Sequence, residues 1–296
     1  MKETLRVSTT TVPLAARDLD RFSCPPRVWR FRSGFRVALW SAPHRLDAES
    51  RRRIQEFIVS ASSAVFKDAD HSAYWEAKKD YFDKLSAFAL IIAPDGELAG
   101  WGGYHSKRFA RRRVLYLDAA GVLPRYQRYK LSSKLVSLFY VLERVRHAGR
   151  GAYLVLRTQN PAVHAGTTKI LGPEKVFPQR AEPVPEAVRQ IARETCDWLG
   201  QEHLLDPDTL IVRDAYKDVL TEVYGEQPTS GNRQADAYFG QSLGPHDAVV
   251  VVIKTGLAAV AAFAVREKFK ALSAGWARDT KKKKSISRTT PISRST

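Results

Sequence analysis

The sequence predicts an α/β fold, a mixed central sheet flanked by helices, and three observations point there. Strand-like runs alternate with stretches whose apolar residues recur every three or four positions, in the order strand, two helices, three strands, helix, strand, helix. An Asp95-Gly96 pair between two apolar runs marks a hairpin, because Asp-Gly supplies the positive φ its turn needs. The 296 residues are 44% hydrophobic and 10% aromatic, ample for a packed core and incompatible with wholesale disorder.

Residues 28–40 alternate as a strand around Phe31, Phe35, Val37 and Leu39. Asp47 precedes a helix carrying Ile54, Phe57, Ile58, Ala61 and Val65 on one face, and a second helix is expected near 71–85 with Tyr74, Lys78, Tyr81, Phe82 and Leu85 along one side. The hairpin joins 88–93 to 98–104, and a basic loop, Lys107 to Arg113, leads into a strand from Val114 to Leu123. A helix over Leu131–His147, a strand at Tyr153–Leu156 and a helix opened by Asn160 follow.

Residues 172–246 hold several prolines, a helical stretch over Glu186–Leu199, a short strand at Thr209–Arg213 and a polar run to Pro245, which together read as an elaboration within one domain. Asp247–Lys254 is β-rich, and Leu257–Leu272 has helical character. The 18 residues from Ala248 to Val265 contain a single charge, which raises a membrane question. Lys254 inside the run and the break at Thr255-Gly256 favour a buried strand followed by a helix. The expected organisation is an N-terminal extension over 1–27, a domain over 28–275 with the elaboration at 172–246 inside it, and a disordered basic tail over 276–296.

The net charge of +17 is uneven: from Arg266 to Thr296 ten Lys/Arg stand against two acids. Such a tail either solubilises the protein or attracts nucleic acid or an anionic surface. Two cysteines, Cys24 and Cys196, exclude a disulfide framework. The first 25 residues lack an apolar core of signal-peptide length, so a cytoplasmic, soluble protein is expected. No GxxxxGK[ST], HExxH or CxxC motif is present, and the seven histidines show no ligand spacing; no metal is expected.

The informative stretch runs from Val122 to Leu135, between a strand and a helix. Val122, Pro124, Tyr126, Gln127, Leu131 and Leu135 resemble the acetyl-CoA segment of the GNAT N-acetyltransferase superfamily. In that family a tight strand-to-helix loop aims backbone N–H groups and a helix N-terminus at a pyrophosphate. The resemblance implies acyl-CoA contacts at Val122, Leu123, Gln127, Arg128, Lys130, Leu131, Ser132 and Ser133. The family's glycines fall at Lys130 and Ser132, and Arg128 replaces another frequent one. These side chains either crowd the cofactor or contribute charge and a hydroxyl to phosphate binding.

Leu154–His164 resembles the family's later strand and its asparagine, which falls at Asn160; the bland role for Asn160 is a helix N-cap. The family's thiolate-protonating tyrosine would fall near Thr167, with His164 one helical turn away as a substitute. The resemblance also implies an oxyanion-stabilising N–H at Val122 or Leu123. Asp118 is the acid nearest the loop, and Tyr116 lies two residues earlier on the same face. Two functions follow: an acyl-CoA-dependent N-acyltransferase acting on an amine, with acetyl-CoA as substrate, or a catalytically decayed module of the same fold that binds nucleic acid or another polyanion.

Overall fold

A computed structural model of the chain describes residues 14–256, except 68, 148–151 and 180–181. The expected helix at 257–272, the basic tail and the first part of the N-terminal extension lie outside the described residues. The strands are β1 (Arg27–Arg30), β2 (Arg36–Trp40), β3 (Ala87–Ile92), β4 (Leu98–Phe109), β5 (Arg112–Val122), β6 (Ala152–Thr158), β7 (Val176–Phe177), β8 (Leu205–Asp206), β9 (Ile211–Val212) and β10 (Ala248–Lys254). Among the described residues they form one sheet in the order β1-β2-β3-β4-β5-β6-β10-β9-β8, with β7 also on β10. Only β5–β6 is parallel, joined through α4 (Leu131–Arg146); the other pairs are antiparallel.

Three local expectations are corrected. The strand over 28–40 breaks into β1 and β2, because Gly34 takes φ 85° and Phe31 N–H donates to the Phe35 carbonyl at 2.8 Å, closing a turn. The helix over 71–85 splits into α2 (Ser72–Glu76) and α3 (Tyr81–Lys84), with Lys78 in the turn between them. The basic loop is largely strand: β4 runs through Phe109, β5 starts at Arg112, and Lys107 pairs opposite Val114. The two residues between, Ala110 and Arg111, have φ 47° and 60°, and Glu194 Oε2 accepts from the Ala110 N–H at 2.7 Å. A hairpin turn without Asn or Gly leaves no signal in the sequence.

Helices cover both faces of the sheet. On one face α4 places Leu131, Leu135, Leu138 and Phe139 against Val37, Ala89, Leu115 and Val251. The other face is divided. Over β2–β4, α1 (Ala48–Val65), α2 and α3 pack Ile54, Ile58, Trp75 and Phe82 onto Trp40, Phe88 and Trp101. Over β5, β6 and β10, α6 (Glu186–Trp198) packs Val188, Ile191 and Cys196 onto Tyr116, Val155 and Val250. Each large apolar side chain buried this way stabilises by roughly 1.5–3 kcal/mol. The 172–246 stretch is therefore built into the same sheet and core. Among the described residues no helix is long and apolar enough to cross a membrane, and Ala248–Ile253 is a buried strand.

Candidate active site

The site is created by register. β5 pairs with β6 from Arg113↔Ala152 only as far as Leu117↔Leu156, yet β5 continues to Val122. On its other edge, the register with β4 shifts between Gly102↔Ala120 and Tyr104↔Leu117, so Gly103 opposes both Asp118 and Ala119. This bulge falls where β5 leaves β6, and a bulge bends its strand. Beyond it, Leu123 N–H donates to the Ala99 carbonyl at 2.9 Å. Backbone directions alternate along a strand, so the Val122 N–H points to the opposite edge, into the gap.

On the α4 side of the gap lies the loop. A 3₁₀ turn, Pro124–Tyr129, is followed by Lys130 in the left-handed region (φ 56°, ψ 35°), and α4 begins at Leu131. Lys130 stands where the sequence pattern has glycine, and it keeps the conformation glycine adopts freely. Gln127 Nε2 donates to the Val122 carbonyl at 3.1 Å, tying the loop to the strand end. No side chain caps α4, and Lys134 N–H donates to the Lys130 carbonyl at 3.2 Å. The first amides of a helix have no acceptor within it. Here they belong to Leu131, Ser132 and Ser133. Leu131 is buried, whereas Ser132, Ser133, Arg128 and Lys130 are exposed, so amides, hydroxyls and two cations meet around one helix N-terminus. This arrangement suits a phosphate-bearing ligand, and the residues fit the phosphates of a coenzyme A.

On the opposite face, Asp118 is the centre of a polar cluster. Its Oδ1 accepts from Lys78 Nζ in a short contact, and His105 Nε2 lies 3.1 Å from Oδ2. The other nitrogen of His105 lies 2.9 Å from the Lys84 carbonyl oxygen, so both ring nitrogens face acceptors. Burial works to raise the Asp118 pKa, but the Lys78 ammonium and hydrogen bonds from His105 and Lys78 outweigh it and hold the carboxyl well below the usual range. Tyr116, on the same face, accepts from Arg157 Nε at 3.0 Å and packs its ring 5.3 Å from Trp198. Burial raises the Tyr116 pKa, partly offset by Arg157, so its hydroxyl stays protonated. Arg157 Nη1 also donates to Gln201 Oε1, and its guanidinium lies 5.2 Å from the Tyr216 ring. The Tyr81 hydroxyl, buried beside Gly103, has no hydrogen-bond partner among the described residues.

Asn160 caps α5 (Pro161–Leu171), its Oδ1 accepting from Ala162 N–H at 2.9 Å. Burial raises the pKa of Tyr224, and the Asn160 and Thr158 side chains, hydrogen-bonding to it, partly offset this. His164 is not brought to Asp118 and Tyr116. Its Nε2 lies 3.0 Å from the Pro178 carbonyl oxygen, its ring packs 6.0 Å from Phe239, and burial lowers its pKa.

Sequence reasoning missed His105, Arg157 and the role of Lys78. The period-two alternation of β4 puts His105 opposite Tyr116, a register no local pattern reveals. Lys78 was visible only as one member of a face with Tyr74 and Tyr81.

Residues 53–172 match the sequence model of the acetyltransferase (GNAT) family, a segment running from α1 to the end of α5 and spanning less than half of the chain. Over these residues the chain is similar to the acetyltransferase (GNAT) family. No curated protein matches the sequence. Solved structures similar to the chain include a GNAT-family acetyltransferase from Listeria monocytogenes, at 14% identity and TM-score 0.32, covering 45% of this chain and 81% of that one. An acetyltransferase from Bacillus subtilis in complex with CoA is 12% identical at TM-score 0.36, covering 67% and 92%. A GNAT-family acetyltransferase from Brucella melitensis in complex with acetyl-CoA is 19% identical at TM-score 0.27, covering 40% and 74%.

Proposed function

We propose that the protein transfers an acetyl or other acyl group from acyl-CoA to an amine. The observation that carries this reading is the gap between β5 and β6 beyond Leu117↔Leu156, with an uncapped helix N-terminus on one side and the Asp118 cluster on the other. Bound in the loop, acyl-CoA supplies a thioester. In this reading Leu131–Ser133, with Arg128 and Lys130, hold its phosphates, Gln127 fixes the loop, and Asn160 flanks the cofactor arm. The Val122 N–H stabilises oxyanion charge.

Asp118, a poor proton acceptor when held so far below its ordinary range, is oriented by His105 and holds a cationic nitrogen in place, and the proton the amine must lose leaves to solvent water. Tyr116, which stays protonated, is the candidate donor to the departing sulfur. His164 has no such position and acts in packing. Domain boundaries at 28–275, with 172–246 within them, complete the reading.

Calorimetric titration with acetyl-CoA and desulfo-CoA tests it. Saturable binding that prefers the acetyl thioester is expected, and no binding at moderate salt would defeat it. The exposed Arg108, Arg111 and Arg112 at the β4–β5 hairpin tip support a second reading, a polyanion-binding module. That reading requires nucleic-acid affinity that falls steeply with salt and is lost when these arginines become glutamine.

A further inference from the structure

One amine beside the end of the β5–β6 pairing is the protein's own. Lys78 sits in the turn between α2 and α3 and reaches Asp118, the first β5 residue past the end of pairing with β6. Its ammonium lies 4.6 Å from the Tyr74 ring centroid, 5.3 Å from that of Tyr81 and 6.0 Å from that of Trp75. The Lys78 and Asp118 side chains keep only 22% and 10% of their surface accessible. Aromatic faces and one carboxylate are what a protein uses to hold an amine cation. The neighbouring Lys79 is exposed and Lys84 pairs with Asp80 at the surface, so the enclosure singles out Lys78.

We propose that Lys78 is itself an acyl acceptor and that the protein acetylates this residue in cis. The proposal rests on the acyl-CoA reading given above. The Lys78 ammonium, held in place by Asp118, gives its proton to solvent water, and the freed Nζ attacks the acetyl carbonyl. The N–C bond forms, the C–S bond breaks, and CoA leaves as the thiol. The net change is ammonium plus thioester to amide, thiol and one proton. The product amide has no charge, so the ion pair with Asp118 is lost and Asp118 keeps only His105.

The test uses the full chain with isotope-labelled acetyl-CoA, peptide mass spectrometry, and calorimetry of acetyl-CoA binding on the same preparation. Label should accumulate at Lys78 at least about tenfold faster than at Lys79, a difference of about 1.4 kcal/mol in barrier. The rate should not change with protein concentration. Asp118→Asn should remove the Lys78 excess while leaving the background at Lys79, which shows that the protein still presents native lysines. Lys78→Arg keeps the charge against Asp118 and should leave only the Lys79 background in this stretch.

A second readout needs no turnover. Labelled protein freed of CoA should melt below unlabelled protein, and Lys78→Arg treated identically should not shift. Equal labelling at Lys78 and Lys79, or a rate that rises with protein concentration, would overturn the proposal. An unlabelled Lys78 in protein that binds acetyl-CoA would overturn it alone, leaving the acyltransferase reading intact. Failure to bind acetyl-CoA would overturn both.

Discussion

Substituting Gly121 by alanine tests how the gap is held. Gly121 lies in the part of β5 that has left β6, next to the Val122 N–H that faces the opening. A Cβ at this position would stand 2.4 Å from Trp101 Cη2 and 2.7 Å from Cζ3, where real contacts stay above 3.0 Å. The indole cannot swing aside cheaply. It is 1% exposed, packed edge-on to Phe57 at 6.2 Å and to Trp75 at 6.5 Å. Overpacking a closed core costs typically about 1–3 kcal/mol. At about 2–4 °C per kcal/mol for a domain of this size, the melting temperature of Gly121→Ala should fall by roughly 2–12 °C.

Relief through β5 rather than the indole would move the Val122 N–H, so acetyl-CoA affinity should fall as well. Urea unfolding of Gly121→Ala, Trp101→Leu and the double variant forms a cycle. The double variant should recover about 1–3 kcal/mol relative to the sum of the singles. A midpoint unchanged by Gly121→Ala, or strict additivity in the cycle, would refute the contact as the cause.

Ser132→Glu should lower CoA affinity by about tenfold to a thousandfold, the ~1–4 kcal/mol of like charges ~4 Å apart, without lowering the melting temperature, because a carboxylate favours a helix N-terminus; unchanged affinity by calorimetry would place the phosphates elsewhere. His71 is buried and His164 half-buried, and burial depresses both pKa values below the ordinary 6.5. Their folded forms are neutral while the unfolded chain takes up protons below about 6.5, so stability is full above that pH and falls as pH drops through it, by at most about 1.4 kcal/mol per unit for each histidine. Urea midpoints at about pH 7.5 and about pH 5.5 should show this loss, and His71→Asn with His164→Asn should shrink it; an equal loss in the double variant would assign it to other groups. Val251→Lys should yield unfolded protein by far-ultraviolet circular dichroism, since Val251 is fully buried opposite Leu156 and an unpaired charge would enter the core; a folded variant would contradict the sheet position of β10. Asp118→Asn should lower turnover of an external amine by about a hundredfold or more while CoA binding persists, and full activity would remove Asp118 from the chemistry.

The sequence by itself determined the elements whose cues are local. The face of Ile54, Ile58 and Ala61 made α1, Asp95-Gly96 made the β3–β4 turn, and the strand-to-helix run from Val122 to Leu135 marked the turn that leads from β5 into α4. Lys130 shows the limit of that legibility: its position was readable, but its left-handed backbone was not, because no Gly or Asn announces it. Where turn chemistry was unconventional, at Ala110-Arg111, strand was mistaken for loop. The tertiary structure alone decided the candidate site. Lys78, His105, Asp118 and Arg157 come from a turn and three strands, and their convergence depends on the phase of each strand and on the β4–β5 bulge. Strand phase is fixed by pairing across many residues and by which face is covered, so a one-residue change of register would turn His105 away from Asp118. The gap itself is a mismatch between the lengths of two pairings of β5, a property of neighbouring strands that the β5 segment does not carry.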